Sequence, residues 1–217
     1  MPRIKICCIA SPEEAAAAVA AGAAALGLVA EMPSGPGPIP DERISQIAAR
    51  VPPGVSRFLL TARTTADAIA DHIERCGVDT VQLVDTVEPA ERAALRRLRP
   101  EVRVVQVVHV EGGDALDQAR ADAEHSDAVL LDSGRPSLPV PELGGTGRTH
   151  DWSVSARIVE TLSIPVYLAG GLNAANARAA ISAVRPFGLD VCSGVRTEDR
   201  LDKLKLAAFM EAASIGN

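Results

Sequence analysis

Ala128-Val129-Leu130-Leu131-Asp132, followed further along by Gly144-Gly145-Thr146-Gly147-Arg148-Thr149-His150-Asp151-Trp152, is the stretch that decides the fold. A strand that is apolar on both faces is buried on both faces. One that ends in a carboxylate and opens into a glycine-rich loop is how a parallel barrel presents an acid or a base. The same grammar repeats outward from it. Strands are expected at 3–9, 25–30, 56–61, 80–84, 102–108, 128–131, 165–169 and 189–192. Helical patterns alternate with them, the first announced by Ser11-Pro12-Glu13-Glu14, a cap, a first-turn proline and a capping-box glutamate. The others run over 41–49, 65–76, 89–98, 114–124, 153–162, 173–184 and 199–213. Eight apolar strands, each followed by a helix, predict a single (β/α)8 barrel over residues 1–217. An open doubly wound sheet is the alternative architecture.

Composition agrees with one enzyme-sized domain. The 217 residues are 47% hydrophobic, with one Trp, one Tyr and three Phe, so the core must be aliphatic. A formal net charge of −6 argues against a nucleic-acid partner or an anionic membrane surface. It leaves room for an anionic small molecule held by backbone amides. The uncharged run between Glu14 and Glu31 falls short of the ~20 residues a spanning helix needs. The N-terminus Met1-Pro2-Arg3-Ile4-Lys5 lacks a secretory apolar region. Cys7, Cys8, Cys76 and Cys192 show no zinc spacing, so reduced thiols in a cytoplasmic protein without a metal are expected. His72 and His125 read as solvated helix residues, and Cys76 and Cys192 as packing.

Barrel chemistry gathers at the C-terminal ends of strands. Along strand 1, Lys5 and Cys7 share a face; if Ile6 meets the helices, both point inward. A thiol beside an ammonium group has a stabilised thiolate and suits a general base; Cys is also a common small core residue. Asp132 closes strand 6, either as a working acid or as a loop brace. Strands 7 and 8 end in Ala169-Gly170-Gly171-Leu172-Asn173 and Cys192-Ser193-Gly194-Val195-Arg196. Small residues there let backbone N–H groups approach a ligand, the usual phosphate cradle of this architecture. Gly170, Gly171, Ser193 and Gly194 are therefore its candidates, with Lys5, Gly145 and Gly147 also expected at the substrate.

Taken together, Lys5-Ile6-Cys7, Val81-Gln82-Leu83, Leu131-Asp132, Gly144 to Gly147, Asp151-Trp152, 168–173 and 190–195 resemble the phosphoribosylanthranilate isomerase family. The resemblance implies an Amadori rearrangement of an N-substituted aminoaldose phosphate in tryptophan biosynthesis. It implies Asp132 as general acid and Cys7 as general base, no cofactor, and a small phosphorylated substrate bound by a monomer or a homodimer.

The departures fall at one end of that substrate. Cys8 stands where the family usually has glycine, and the loop Ser34-Gly35-Pro36-Gly37 lacks the family's Ser-Pro-Arg arginine. Val84 replaces a histidine, Gln106 and His109 stand where lysine and arginine are usual, His150 replaces phenylalanine, and Arg196 replaces a glutamate. Arg135, Arg148, Arg196 and His109 are the candidates for a relocated grip on the anthranilate carboxylate. A different N-substituted ribosyl phosphate, or a barrel that binds phosphorylated ligands without turnover, are the competing readings.

Overall fold

The structure is a computed structural model that describes residues 1–33, 35–110, 114–134 and 149–214. Eight parallel strands close into a barrel in sequence order, β1 (Arg3–Ile6), β2 (Ala25–Val29), β3 (Ser56–Thr61), β4 (Thr80–Leu83), β5 (Arg103–His109), β6 (Ala128–Asp132), β7 (Val166–Leu168) and β8 (Gly188–Val191). Closure comes from β8 pairing with β1, which sets Lys5 opposite Asp190 and Ile6 opposite Val191. The helices α1 (Pro12–Ala20), α2 (Asp41–Ala48), α3 (Ala66–Cys76), α4 (Pro89–Leu98), α5 (Ala115–Ala123), α6 (Trp152–Thr161), α7 (Ala177–Val184) and α8 (Lys203–Ser214) follow their strands. The expected barrel is the observed one.

Side-chain alternation along each strand divides the apolar residues into two clusters. Ile4, Ile6, Leu26, Leu28, Leu59, Val81, Leu83, Val129, Leu131 and Leu189 face the helices, where they build the main core. Cys7, Ala25, Val29, Phe58, Leu60, Val105, Val107, Ala128, Leu130 and Tyr167 fill the barrel interior. The rings of Phe58 and Tyr167 meet edge to face at 5.9 Å and fill the lower part of the cylinder. Below them a cavity of about 680 Å³ opens among the strand N-termini, lined in part by Arg3, Arg103 and Phe187. It lies at the end of the barrel away from the rim where Cys7 and Asp132 stand.

Local chemistry explains where the elements start and stop. The α1 cap forms as expected, Ser11 Oγ accepting from Glu14 N at 3.2 Å, but the Glu14 carboxylate reaches back to Ala10 N at 2.9 Å. Strand β1 ends earlier than expected because Cys8 adopts φ +62 and turns the chain out of the ladder. The segment after β8 does not lead directly into the helix expected from Asp199. It forms a short 3-10 turn (Ser193–Val195) and a hairpin of β9 (Arg196–Thr197) and β10 (Arg200–Leu201) instead. Its two-residue turn, Glu198 and Asp199, has positive φ at both positions without a glycine to announce it. Asn173 likewise precedes α7 rather than opening it, its N–H bonding Asn176 Oδ1 at 2.8 Å.

His72 is not the solvated residue expected, and Gln106 turns away from the barrel interior. His72 is 2% exposed, not solvated; Thr61 Oγ1 and Asp41 Oδ1 each lie 3.0 Å from one of its ring nitrogens. Gln106 faces the helices, where its Oε1 accepts from Arg92 at 3.3 Å. Arg92 and Asp122 form a buried ion pair at 2.7 Å that joins α4 to α5. Burial raises the Asp122 carboxyl above its ordinary range even with Gln118 and Arg92 stabilising its charge. Replacing Arg92 by Met leaves that acid buried without its partner. Urea unfolding followed by circular dichroism is expected to show a loss of about 3–5 kcal/mol; a loss under 1 kcal/mol would mean the pair contributes little.

Candidate active site

The C-terminal rim of the barrel collects the inward-facing ends of β1, β5, β6 and β8. Cys7 and Lys5 both point inward, against Gly27 of β2. A β-carbon on Gly27 would lie 2.7 Å from Cys7 Sγ and 3.1 Å from Lys5 Nζ, so the absent side chain makes room for both. Lys5 Nζ donates to Asp190 Oδ1 at 2.9 Å and lies 5.3 Å from the centre of the Phe58 ring. Burial works against its charge, yet Asp190, helped by Cys7, holds the ammonium above the ordinary lysine range. Lys5 is wholly buried and bound to Asp190, so it is not placed to grip a phosphate. Its task here is electrostatic, acting on the groups above it.

Those groups respond in opposite directions. A hydrogen bond from Cys8, and then the Lys5 charge, hold the Cys7 thiol below its ordinary value against burial and the Asp190 charge. Burial, aided by Asp190, raises the Asp132 carboxyl, with Ser133 N–H, His109 and Lys5 opposing. Ser133 N donates to Asp132 Oδ1 at 2.7 Å and fixes the carboxyl plane. Cys7 and Asp132 thus share one ion pair, Lys5 and Asp190, as common electrostatic neighbours. A thiol shifted toward ionisation and a carboxyl shifted toward its protonated form are the directions that suit a base and an acid in proton transfer.

His109 is the register partner of Asp132 on the adjacent strand and faces the same interior. Its Nε2 lies 3.4 Å from Val84 O, a carbonyl that can only accept, so Nε2 carries a proton. Its Nδ1 is buried with no partner among the described residues, as is Gln82 Oε1 on β4. A neutral His109 therefore offers a ligand an acceptor, and contact with a carboxylate requires the imidazolium.

Cys8 joins three parts of the rim. Its carbonyl accepts from Arg196 at 2.9 Å, and its thiol lies 3.6 Å from Pro36 O in the loop after β2. Hydrogen bonds with Cys192 and then Cys7, with burial, raise the Cys8 thiol well above its ordinary range. One S–H cannot serve Pro36 and Cys7 together; once Cys7 ionises, the thiolate is the stronger acceptor. The expected carboxylate grip by Arg196 is corrected. Its guanidinium is bound to the Glu14 carboxylate, at 3.2 Å for the Nη2–Oε1 contact, and to the Asp199 carbonyl. It braces the loop after β8 against α1. Glu14 completes that brace by accepting from Leu201 N at 2.8 Å, an assignment the sequence reading gave only as a helix cap.

The glycines after β7 and β8 interlock. A β-carbon on Gly194 would lie 2.0 Å from Leu172 O, and one on Gly170, at φ +84, would lie 2.9 Å from Ser133 Oγ. Bare backbone at these positions lets the two loops meet beside the end of β6. Among the described residues no backbone carbonyl accepts from the N–H groups of Gly170, Gly171, Ser193 or Gly194. Gly145, Gly147, Arg135 and Arg148 lie outside the described residues.

The family described as N-(5'-phosphoribosyl)anthranilate (PRA) isomerase matches residues 4–212. The chain belongs to this family. It is 34% identical over 216 residues to the N-(5'-phosphoribosyl)anthranilate isomerase of Methanocella arvoryzae, covering 99% of each chain. It resembles a phosphoribosyl anthranilate isomerase crystallised with reduced 1-(o-carboxyphenylamino)-1-deoxyribulose 5-phosphate, at 29% identity, TM-score 0.80 and 99% coverage of both chains. Monomers of the dimeric isomerase from Thermotoga maritima align with TM-score 0.81 at 27% identity, again over 99% of each.

Cys8 directly follows Cys7, and the effect of its thiol is measurable. Replacing Cys8 by Gly removes the S–H donor while suiting the positive φ. Cys7 then ionises at higher pH, so the acid limb of the kcat/KM profile moves upward. An unmoved limb would show that Cys8 does not support the thiolate.

Proposed function

We propose that this chain converts N-(5'-phosphoribosyl)anthranilate into 1-(2-carboxyphenylamino)-1-deoxyribulose 5-phosphate, an intramolecular aldose–ketose isomerisation in tryptophan biosynthesis. The observation that carries the reading is the pair of opposed shifts, thiol down and carboxyl up, around one buried ion pair.

The chemistry follows from those two groups. Protonated Asp132 gives its proton to the ribose ring oxygen as the C1–O bond breaks, and the anilino nitrogen lone pair forms a C1=N iminium. The Cys7 thiolate removes the C2 proton, and the C2–H electron pair moves into C1=C2 to quench the iminium. The resulting enolamine loses its 2-hydroxyl proton and gains one at C1, giving the ketone. Two protons move in each direction, so the reaction is a net isomerisation. The substrate's own iminium is the electron sink, so no cofactor is required.

The phosphate is proposed to lie against the N–H groups of Gly170, Gly171, Ser193 and Gly194, which have no backbone acceptor among the described residues. The carboxylate of the aromatic ring would then fall toward His109, while Arg135 and Arg148, outside the described residues, are candidates from the sequence alone. A second reading keeps the chemistry and changes the substrate to another N-substituted ribosyl phosphate. It is favoured by a specific observation: loop 2 carries no arginine, and Arg196 is committed to Glu14. Either substrate suits a cytoplasmic protein with reduced thiols, acting as a monomer or a homodimer. Among the described residues no helix is long and apolar enough to cross a membrane.

Turnover of freshly made phosphoribosylanthranilate is followed by loss of its anthranilate fluorescence. Cys7→Ser and Asp132→Asn are each expected to lower kcat by roughly 10²–10⁴-fold, the usual worth of a positioned acid or base. Turnover by the unaltered chain on another aminoaldose phosphate but not on this one would select the second reading. Full activity in either variant would remove that residue from the mechanism.

A further inference from the structure

Outside the barrel, where α2 packs on α3, Asp41, His72 and Cys76 bring three potential ligand atoms within 4.8 Å of one another. Nothing in the isomerase reaction uses them. His72 and Cys76 stand four residues apart on α3, so they share one face of that helix. Asp41 is the first residue of α2 and closes the segment that follows β2. The imidazole is fixed at its far side, Nδ1 lying 3.0 Å from Thr61 Oγ1, the outer bond that metal-bound histidines commonly make. Its Nε2 faces Asp41 Oδ1 at 3.0 Å, while Arg75 holds the other carboxylate oxygen at 3.2 Å.

We propose that Asp41, His72 and Cys76 form a site for one divalent transition-metal ion of the zinc type, a staple between α2 and α3. One oxygen, one nitrogen and one sulfur ligand suit a borderline-soft ion and not calcium or magnesium. A divalent cation with one thiolate and one carboxylate sums to zero charge, which suits a site where His72 and Cys76 are almost fully buried. The fourth position belongs to water, because a cavity of about 400 Å³ lined in part by Glu31, Asp41, Glu42, Arg63 and His72 borders the cluster.

Binding forms metal–O, metal–N and metal–S bonds and displaces protons, with no change of oxidation state. Without metal, Cys76 is a buried thiol close to Asp41 and His72. The metal supplies the positive charge that releases the thiol proton to solvent. His72 gives Nε2 to the ion and directs its Nδ1–H to Thr61. The spacing rules applied to the sequence missed the site because one ligand lies on a different helix from the other two.

The experiment uses the full chain with Cys7, Cys8 and Cys192 changed to Ser, leaving Cys76 as its one thiol. Cobalt(II) is added and then displaced by zinc(II), with folding of every variant checked by far-ultraviolet circular dichroism. One equivalent of cobalt is expected to give a thiolate-to-metal charge-transfer band and intense tetrahedral d–d bands. Adding Cys76→Ser to this background should abolish the charge-transfer band. Either Cys76→Ser or His72→Gln should weaken zinc binding at least tenfold and remove the rise in melting temperature that zinc gives the parent. No charge-transfer band in the parent, or zinc affinity unchanged in both variants, would overturn the proposal.

Discussion

Lys5 and Asp190 meet at the seam where the last strand closes on the first, and their ion pair is buried at the heart of the cylinder. Two charges withdrawn from water cost several kcal/mol each, and only close pairing offsets that cost. The pair is therefore a weak source of stability. It is better understood through what it does to its neighbours. Asp190 keeps Lys5 charged, and the ammonium favours the Cys7 thiolate, while the Asp190 carboxylate helps keep the proton on Asp132. One arrangement thus contributes to opposite protonation states in two groups that would otherwise both sit in a desolvating apolar shell.

The rest of the rim holds this arrangement in place. Gly27 leaves space for Cys7 and Lys5, and Ser133 orients the Asp132 carboxyl. Arg196 and Glu14 tie the loop after β8 to α1 and to the Cys8 carbonyl, so the backbone beside the thiol is anchored from the far end of the chain. The loops after β7 and β8 and the ends of β1 and β6 are accordingly one mechanical unit. The part that departs from the family, the loop after β2, touches this unit through Cys8 and Pro36. A change in that loop therefore bears on the Cys8 thiol and, through it, on Cys7.

The strands were legible in the sequence because a buried parallel strand leaves a local mark, an apolar run bounded by turn residues. The positions of Cys7 and Asp132 followed from strand ends and from two-residue alternation, both local rules. What escaped is pairing created by closure. Lys5 meets Asp190 across 185 residues and Arg196 meets Glu14 across 182, and no periodicity announces either. Lys5 and Arg196 were consequently assigned to a ligand when each is bound within the protein. His72 looked like an exposed helix residue because its partners, Thr61 and Asp41, come from a strand and a different helix. The turn at Glu198 and Asp199 escaped for a different reason: its left-handed backbone is occupied by residues that seldom adopt it.

Around the Lys5–Asp190 pair the Cys7 thiol is shifted toward ionisation and the Asp132 carboxyl toward its protonated form. Carbon-13 NMR of protein labelled at the cysteine β-carbons and aspartate carboxyl carbons, assigned with the Cys7→Ser and Asp132→Asn variants, reads both groups in one titration. Cys7 is expected to titrate below the ordinary thiol range and Asp132 above the ordinary carboxyl range. Ordinary values for both, or shifts in the reverse sense, would contradict this.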